Sequence, residues 1–299
     1  MEESERRINK MNITYNNKTI PFYSNIQSLI QKSPFKDDAL RDCEFDDEGI
    51  PKNLVVSLSG GADSASALYL TAKLFPQINV HPLTFRDVNA PLDADAAVEI
   101  VKFIQKQFPK ANIDDCTIYS YNDRDESTYE RAQAMIDKGG DRPDSTNEYS
   151  KLNVVQMSKT MQLDDGNNRF MKQFKGAVRL DGMTSNPPIE VRMKFADEMK
   201  EAHPDIDFSD FEIKRTQGEP RRDYYADRTE FLYNVYQPFI SVDKKFVADI
   251  YKQEGLMDSM YPMTRSCVGG AAHTNNFTEW CWRCFWCYEK KWAFDLERT

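Results

Sequence analysis

The first clear run of apolar positions, Leu54-Val55-Val56-Ser57-Leu58, is short, β-rich and uninterrupted, the pattern of a strand buried on both faces. It leads into Ser59-Gly60-Gly61-Ala62-Asp63-Ser64. Beyond that turn, Ala65 to Phe75 carries good helix formers, sets Leu68 with Ala72 and Leu70 with Leu74 at i, i+4, and stops before Pro76. The alternation then repeats. Val80 to Phe85 predicts a second strand, and Ala94 to Phe108 a helix with Ala97, Val101, Ile104 and Phe108 along one stripe. Cys116 to Tyr119 predicts a third strand and Ala177 to Leu180 a fourth, which runs into Asp181-Gly182-Met183-Thr184-Ser185-Asn186-Pro187-Pro188. Strands alternating with helices of this length predict an α/β fold, a parallel sheet with helices on both faces.

The remaining segments fit around that core. The first 50 residues are polar apart from short apolar alternations near Ile13 to Tyr15 and Ile20 to Tyr23, and read as an N-terminal extension packed on the main domain. Residues 122–175 turn polar and are broken by Gly139-Gly140-Asp141-Arg142-Pro143; they read as an insertion with one or two helices, placed where a lid could close. Residues 197–230 are charged and loop-prone. After Phe239-Ile240-Ser241-Val242, a helix is predicted from about Lys244 to Glu254, with Phe246, Val247, Ile250 and Tyr251 on one face and Gly255 in the C-terminal capping place. The chain therefore divides into an extension (1–50), a main domain (51–260) and a C-terminal segment (261–299).

Composition narrows the function classes. Of 299 residues, 40% are hydrophobic and 29% charged, which excludes low-complexity and collagen-like chains. Lys plus Arg number 39 against 48 Asp plus Glu, and the net charge of −9 disfavours general attraction to nucleic acid or an anionic membrane. The charged start, Met1-Glu2-Glu3-Ser4-Glu5-Arg6-Arg7, has no secretory signal pattern, and no segment approaches the roughly 20 apolar residues that span a bilayer. A reducing, cytoplasmic setting is the expectation, with six cysteines as thiols or metal ligands. Cys43 and Cys116 stand alone. Cys267, Cys281, Cys284 and Cys287 crowd into the C-terminal segment, where four thiolates could enclose one tetrahedral Zn2+. An iron-sulfur cluster is the chemical rival, although ferredoxin runs continue to a Cys-Pro, and Tyr288-Glu289-Lys290 follows here. Zinc, closed and structural, is the favoured reading.

The glycine turn is the second chemical signal. Adjacent glycines after a buried strand bring backbone amides close to a ligand, and the following helix aims its unsatisfied amides and positive dipole end at the same point. An anion belongs there, with Ser59 and Ser64 as hydroxyl donors and Asp63 as a carboxylate for Mg2+ bridging phosphates. The turn lacks the Gly-Lys-Ser/Thr ending of a Walker loop and the spaced glycines of a dinucleotide loop.

Ser59-Gly60-Gly61-Ala62-Asp63-Ser64 resembles the PP-loop, Ser-Gly-Gly-x-Asp-Ser, of the N-type ATP pyrophosphatases. The stretches Gln237 to Lys244, Thr264-Arg265-Ser266-Cys267, Cys281-Trp282-Arg283-Cys284-Phe285-Trp286-Cys287 and Lys290 to Phe294 look like the C-terminal half of the 7-cyano-7-deazaguanine synthase (QueC) family. Thr84-Phe85-x-Asp87 is similar to that family's stretch near the adenine. The resemblance implies an adenine-nucleotide α-hydrolase-like (Rossmann-like) sheet with a C-terminal zinc-binding segment. It also implies ATP cleavage to AMP and pyrophosphate, and two-step conversion of a 7-carboxy-7-deazaguanine to amide and nitrile with ammonia. It would place ATP and Mg2+ on Ser57, Ser59, Gly60, Gly61, Asp63, Ser64, Thr84 and Phe85, with Asp63, Ser64 and Lys244 catalytic, and Zn2+ on Cys267, Cys281, Cys284 and Cys287. Partners are then a small-molecule deazapurine carboxylate and ammonia, with no membrane, nucleic acid disfavoured, and a homodimer open.

This chain departs from the family pattern in three places: Asp181 to Pro188 stands where a Gly-Tyr-Pro-Asp-Cys-Arg-like substrate segment belongs, Trp282 replaces a glycine, and the gap after Cys267 is longer. Arg215, Arg221, Arg222 and Arg228 either meet an anionic acceptor or form a solvated loop, the plainer reading; His81, His203 and His273 show no catalytic spacing. The competing functions are adenylation or thiolation of a nucleic-acid base by a PP-loop enzyme of the tRNA-modification type, and a non-catalytic nucleotide-binding scaffold.

Overall fold

A computed structural model of the protein describes residues 12–23, 26, 43–87, 92–122, 126–137, 154–204, 230–232, 235–267, 273–276 and 279–296. Gly139 to Pro143 and the four arginines of the 205–229 stretch lie outside the described residues. The elements, in order, are β1 (Asn12–Tyr15), β2 (Lys18–Pro21), β3 (Asn53–Leu58), α1 (Ala62–Leu74), β4 (Asn79–Asp87), α2 (Leu92–Gln107), β5 (Asn112–Ile113) and β6 (Thr117–Tyr121). They continue with α3 (Glu126–Asp137), α4 (Val154–Met171), β7 (Val178–Leu180), α5 (Ile189–Ala202), β8 (Glu230–Leu232), β9 (Val235–Gln237), α6 (Lys244–Gln253), a short 3-10 turn (Tyr261–Met263) and α7 (Phe285–Phe294).

Strand β3 sits in the middle of the main sheet, whose order is β5-β4-β3-β7-β9-β8, with β6 also on β4. Every pairing is parallel except β8 with β9. The period of two along β3 divides the core. Leu54, Val56 and Leu58 join the cluster that holds α1, α2 and α6, whereas Val55 joins Leu83, Phe170 and Ala177 on the other side. Phe170 belongs to α4, so the polar insertion supplies the sheet's second cover as well as standing over its edge. Helices lie on both faces, as the strand–helix alternation predicts.

Several elements differ from the sequence expectation. Residues 197–202 are helical rather than loop, because α5 buries Arg192, Phe195, Ala196 and Met199 at i, i+3, i+4 and i+7. An arginine at the first of those positions hides the apolar stripe. The expectation also lacked the two-residue β5, the strands β8 and β9, which pair antiparallel at the sheet edge, and helix α7.

Near the start of the chain, β1 and β2 form an antiparallel hairpin whose turn places Asn16 and Asn17 at φ 48° and 57°. Tyr15 packs edge-on against Phe246 of α6, at 5.5 Å between ring centroids. Its hydroxyl donates to Glu254 Oε1 at 2.9 Å, and Glu254 also pairs with Lys73 and accepts from Tyr69 at 3.4 Å. Burial alone would raise the Glu254 carboxyl, but the bonds from Lys73 and Tyr15 outweigh it and hold it below its ordinary value. A depressed carboxylate stabilises above its unfolded pKa, and that contribution fades as pH falls through the folded value. Glu254→Gln should therefore cost about 1–2 kcal/mol at pH 7. In urea titrations, the gap between variant and wild type should close as pH drops below the ordinary 4.5.

Candidate functional site

The site grows from the C-terminal end of β3. Gly60 takes φ +75°, which a side chain resists, and a Cβ there would lie 2.4 Å from the Asp93 carbonyl oxygen. The turn is tied internally by its serines. Ser64 Oγ lies 3.3 Å from both the Ser59 amide and Ser59 Oγ, and the Gly61 amide donates to Ser59 Oγ at 3.3 Å. Helix α1 begins without a side-chain cap, and its first i to i+4 bond runs from the Ala65 amide to Gly61 O at 3.2 Å. The amides ahead of Ala65 thus point out of the helix end, toward the space an anion would take.

Lys244 reaches this turn from α6, whose N-terminus is capped by Asp243 accepting from the Lys245 amide at 3.0 Å. Its ammonium is 3.0 Å from Asp63 Oδ2 and 3.1 Å from Glu289 Oε2, and the residue is only 4% exposed. Burial alone would lower the Lys244 ammonium; the Asp63 and Glu289 carboxylates more than offset that, and its pKa rises. The structure therefore joins Lys244 to Asp63, two of the three residues expected to be catalytic, and adds Glu289. Next to Glu289 on α7, Lys290 donates to Thr264 O at 3.1 Å and Thr264 Oγ1 at 2.9 Å, with the Tyr261 and Trp280 rings 4.5 and 5.1 Å from its nitrogen. Burial, with the nearby Lys244 ammonium, lowers its pKa to about 7, while Cys287 acts in the opposite direction. The Arg265 amide donates to Gly60 O at 2.8 Å, so the segment beside Thr264 walls the turn.

The other expected ATP residues take distinct places. Thr84 lies beside Leu58 in register on β4 and is fully buried. Phe85 follows it, edge-on to Tyr119, with Gly166 of α4 so close that a Cβ would sit 2.4 Å from the ring. Ser57 Oγ donates to Asn167 Oδ1 of α4 at 2.9 Å, which occupies its hydroxyl. Gly182, in the segment after β7, crosses the start of α1, where a Cβ would meet the Ser64 nitrogen at 2.5 Å. The sequence reading missed Gly182, Arg265, Glu289 and Lys290 as site residues. A glycine two residues beyond a predicted strand was the visible signal for the first; nothing in the sequence marks Glu289 and Lys290 as buried.

The four C-terminal cysteines converge, their Sγ atoms all within 4.8 Å of one another. Cys281 and Cys287 sulfurs are 3.9 Å apart and Cys284 and Cys287 sulfurs 3.5 Å, close to the ~3.8 Å edge of a tetrahedron built on Zn–S bonds of about 2.3 Å. Amides of Cys281 and Arg283 donate to Cys267 Sγ and Cys281 Sγ, both at 3.3 Å. Hydrogen bonding from Cys281 lowers the Cys267 thiol, and bonding with Cys267 raises Cys284 and Cys287. The donor set fits a tetrahedral thiophilic ion. Trp282, standing where the resembled family carries glycine, is held at φ +53°, in the left-handed region. His203 Nε2 lies 2.9 Å from Trp282 O and helps to fix that bend. Cys43 and Cys116 stand apart, and none of the six cysteines is in a disulfide.

Two substitutions probe this arrangement. Gly182→Ala should push the start of α1 aside and weaken binding of a nonhydrolysable ATP analogue by an order of magnitude or more, read by calorimetry. Cys284→Ser should lower bound zinc, measured by atomic absorption, and cost about 2–3 kcal/mol, roughly 5–10 °C in melting temperature.

Residues 23–140, a stretch that holds β3, the glycine turn and α1, match the family model described as NAD synthase. No curated protein matches the chain. Among solved structures, it is similar to the NMN synthetase of Francisella tularensis at 14% identity, with a TM-score of 0.34, over 83% of this chain and 89% of that one. It is also similar to the U34-tRNA thiolase NcsA of Methanococcus maripaludis with its [4Fe-4S] cluster at 11% identity, TM-score 0.38, over 95% of this chain and 78% of that one. Among the described residues no helix is long and apolar enough to cross a membrane.

Proposed function

We propose that the protein is an ATP-dependent, AMP- and pyrophosphate-forming enzyme of the PP-loop kind, in which the glycine turn binds the triphosphate. The observation that carries this reading is Lys244, buried and paired with Asp63 at the mouth of the Ser59–Ser64 turn. A polyphosphate arriving there meets the helix amides, two serine hydroxyls and an ammonium already oriented, which is electrostatic preorganisation for a leaving pyrophosphate. The NAD synthase match over the same strand, turn and helix supports the assignment. Asp63, a fifth exposed, is the carboxylate that would hold Mg2+; that ion would neutralise charge on the phosphates.

The finer reading is amidation of a carboxylate, of the QueC type. The substrate carboxylate oxygen attacks the α-phosphorus, the bond from that phosphorus to the bridging oxygen breaks, and pyrophosphate leaves with the electron pair. Ammonia then adds to the acyl carbon, AMP departs, and the nitrogen releases a proton to give the amide. A second ATP activates the amide oxygen in the same way, and loss of AMP and two protons leaves the nitrile. The acceptor would lie against the 181–188 segment, which reaches the start of α1 at Gly182. Base thiolation fits less well. A sulfur carrier needs an accessible thiol, four sulfurs are drawn into one cluster, and burial pushes the Cys116 thiol up to about 12.

Incubation with ATP, Mg2+, ammonium and a panel of carboxylates, a 7-carboxy-7-deazaguanine among them, should release AMP and pyrophosphate in equal amounts. ADP and orthophosphate would overturn the assignment. Asp63→Asn should slow pyrophosphate release about 100-fold or more, with the far-ultraviolet circular dichroism unchanged.

A further inference from the structure

Two neighbouring residues of α7 touch opposite walls of the phosphate turn. Glu289 reaches Lys244 and through it Asp63, on the helix side of the turn. Lys290 reaches Thr264, whose neighbour Arg265 donates its amide to Gly60 O on the other side. Both arms spring from metal-ligand positions: Glu289 stands two residues after Cys287, and Arg265 two residues before Cys267. The path from Cys287 through Glu289, Lys244, Asp63, the turn and Arg265 to Cys267 is a ring that the sulfur cluster closes. We propose that Glu289 and Lys290 are positioning residues that couple the four-cysteine metal centre to the phosphate turn, so that metal and nucleotide each tighten the other's binding.

The chemistry of the ring favours positioning over simple stability. Glu289 is 2% exposed and Lys290 3%, and Glu289 Oε1 has no hydrogen-bond partner among the described residues. Desolvating such charges is costly, and well-packed apolar residues of similar volume often stabilise a fold as well or better. What apolar residues cannot do is fix an ammonium 3.0 Å from Asp63. Nor could they hold Thr264 through two hydrogen bonds from one nitrogen. A metal that fixes Cys267 relative to Cys287 therefore fixes both walls of the turn, and a ligand that needs those walls in place binds the loaded protein more tightly. Linkage makes the effect reciprocal and equal in both directions.

The proposal rests on the nucleotide-binding reading of the turn, and the test separates the two. With the full chain, zinc-loaded and chelator-stripped, affinity for a nonhydrolysable ATP analogue is measured by calorimetry, and zinc affinity by competition with a chromophoric chelator with and without the analogue. Loading should tighten the analogue about tenfold, and the analogue should tighten zinc by the same factor. In Glu289→Gln and in Lys290→Met, zinc should still bind one per chain through the four thiolates, while the coupling factor falls toward one. Equal analogue affinity in loaded and stripped protein, or undiminished coupling in both variants, would overturn the proposal.

Hydrogen exchange of the zinc-loaded proteins covers the case in which stripping unfolds the chain or the analogue does not bind. Protection of the Ala65 and Arg265 amides, which donate to Gly61 O and Gly60 O, should fall at least fivefold in both variants relative to wild type. Unchanged protection would overturn the coupling, whereas absence of analogue binding to a protected, loaded wild type would overturn only the nucleotide reading.

Discussion

One buried ammonium governs the geometry of the site. Lys244 is the first residue of its helix, packed out of water, and it is held in the charged form by a carboxylate on each side. Remove the lysine and two carboxylates remain inside the protein without their common cation, which is why breaking such a group is far more damaging than never having built it. The two partners belong to different parts of the chain. Asp63 opens the helix that follows the central strand, and Glu289 lies in the last helix, more than two hundred residues later. Their common lysine draws the start of α1, the start of α6 and the middle of α7 to one point.

The sheet makes that convergence available. β3 is flanked by parallel neighbours on both sides and ends against the glycine turn, so the turn lies at a carboxyl edge, where ligands bind in open α/β sheets. α7 could have been a separate appendage. Instead Ala293 and Phe294 join the main core, with the Phe294 ring edge-on to Tyr251 and tilted against Tyr261, while the other end of the same helix carries Cys287 into the sulfur cluster. The C-terminal segment thus serves both as a wall of the glycine turn and as the carrier of the four-cysteine cluster.

Much of this was legible in the sequence, and the illegible part has a common cause. The apolar run of β3, the i, i+4 pairs of α1 and the stripe of α6 are local patterns, and each predicts its element within a few residues. The Ser59–Ser64 turn and the four cysteines were equally plain, since each is a short constellation of unusual residues at fixed spacing. Lost to sequence reading were charged residues that the fold buries. Arg192 disguises the apolar face of α5, and Glu289 and Lys290 look like solvated residues until α7 is docked. Long-range pairing neutralises such groups, and no periodicity reports a partner two hundred positions away. The replacement of glycine by Trp282 was visible as a departure, but its backbone cost was not, because φ is set by the four-sulfur bend and the His203 contact.

The placement of Cys284 at the cap of α7 has a consequence for the metal centre's charge. Cys284 is the residue just before the first helical turn, and Cys287 lies within it, so the electropositive end of the helix faces the sulfurs. Four thiolates around one divalent ion would carry two excess negative charges, in a partly buried setting that disfavours them. The aligned peptide dipoles of α7 would answer that excess without another cation, favouring deprotonated sulfur and opposing acid-driven release of such an ion.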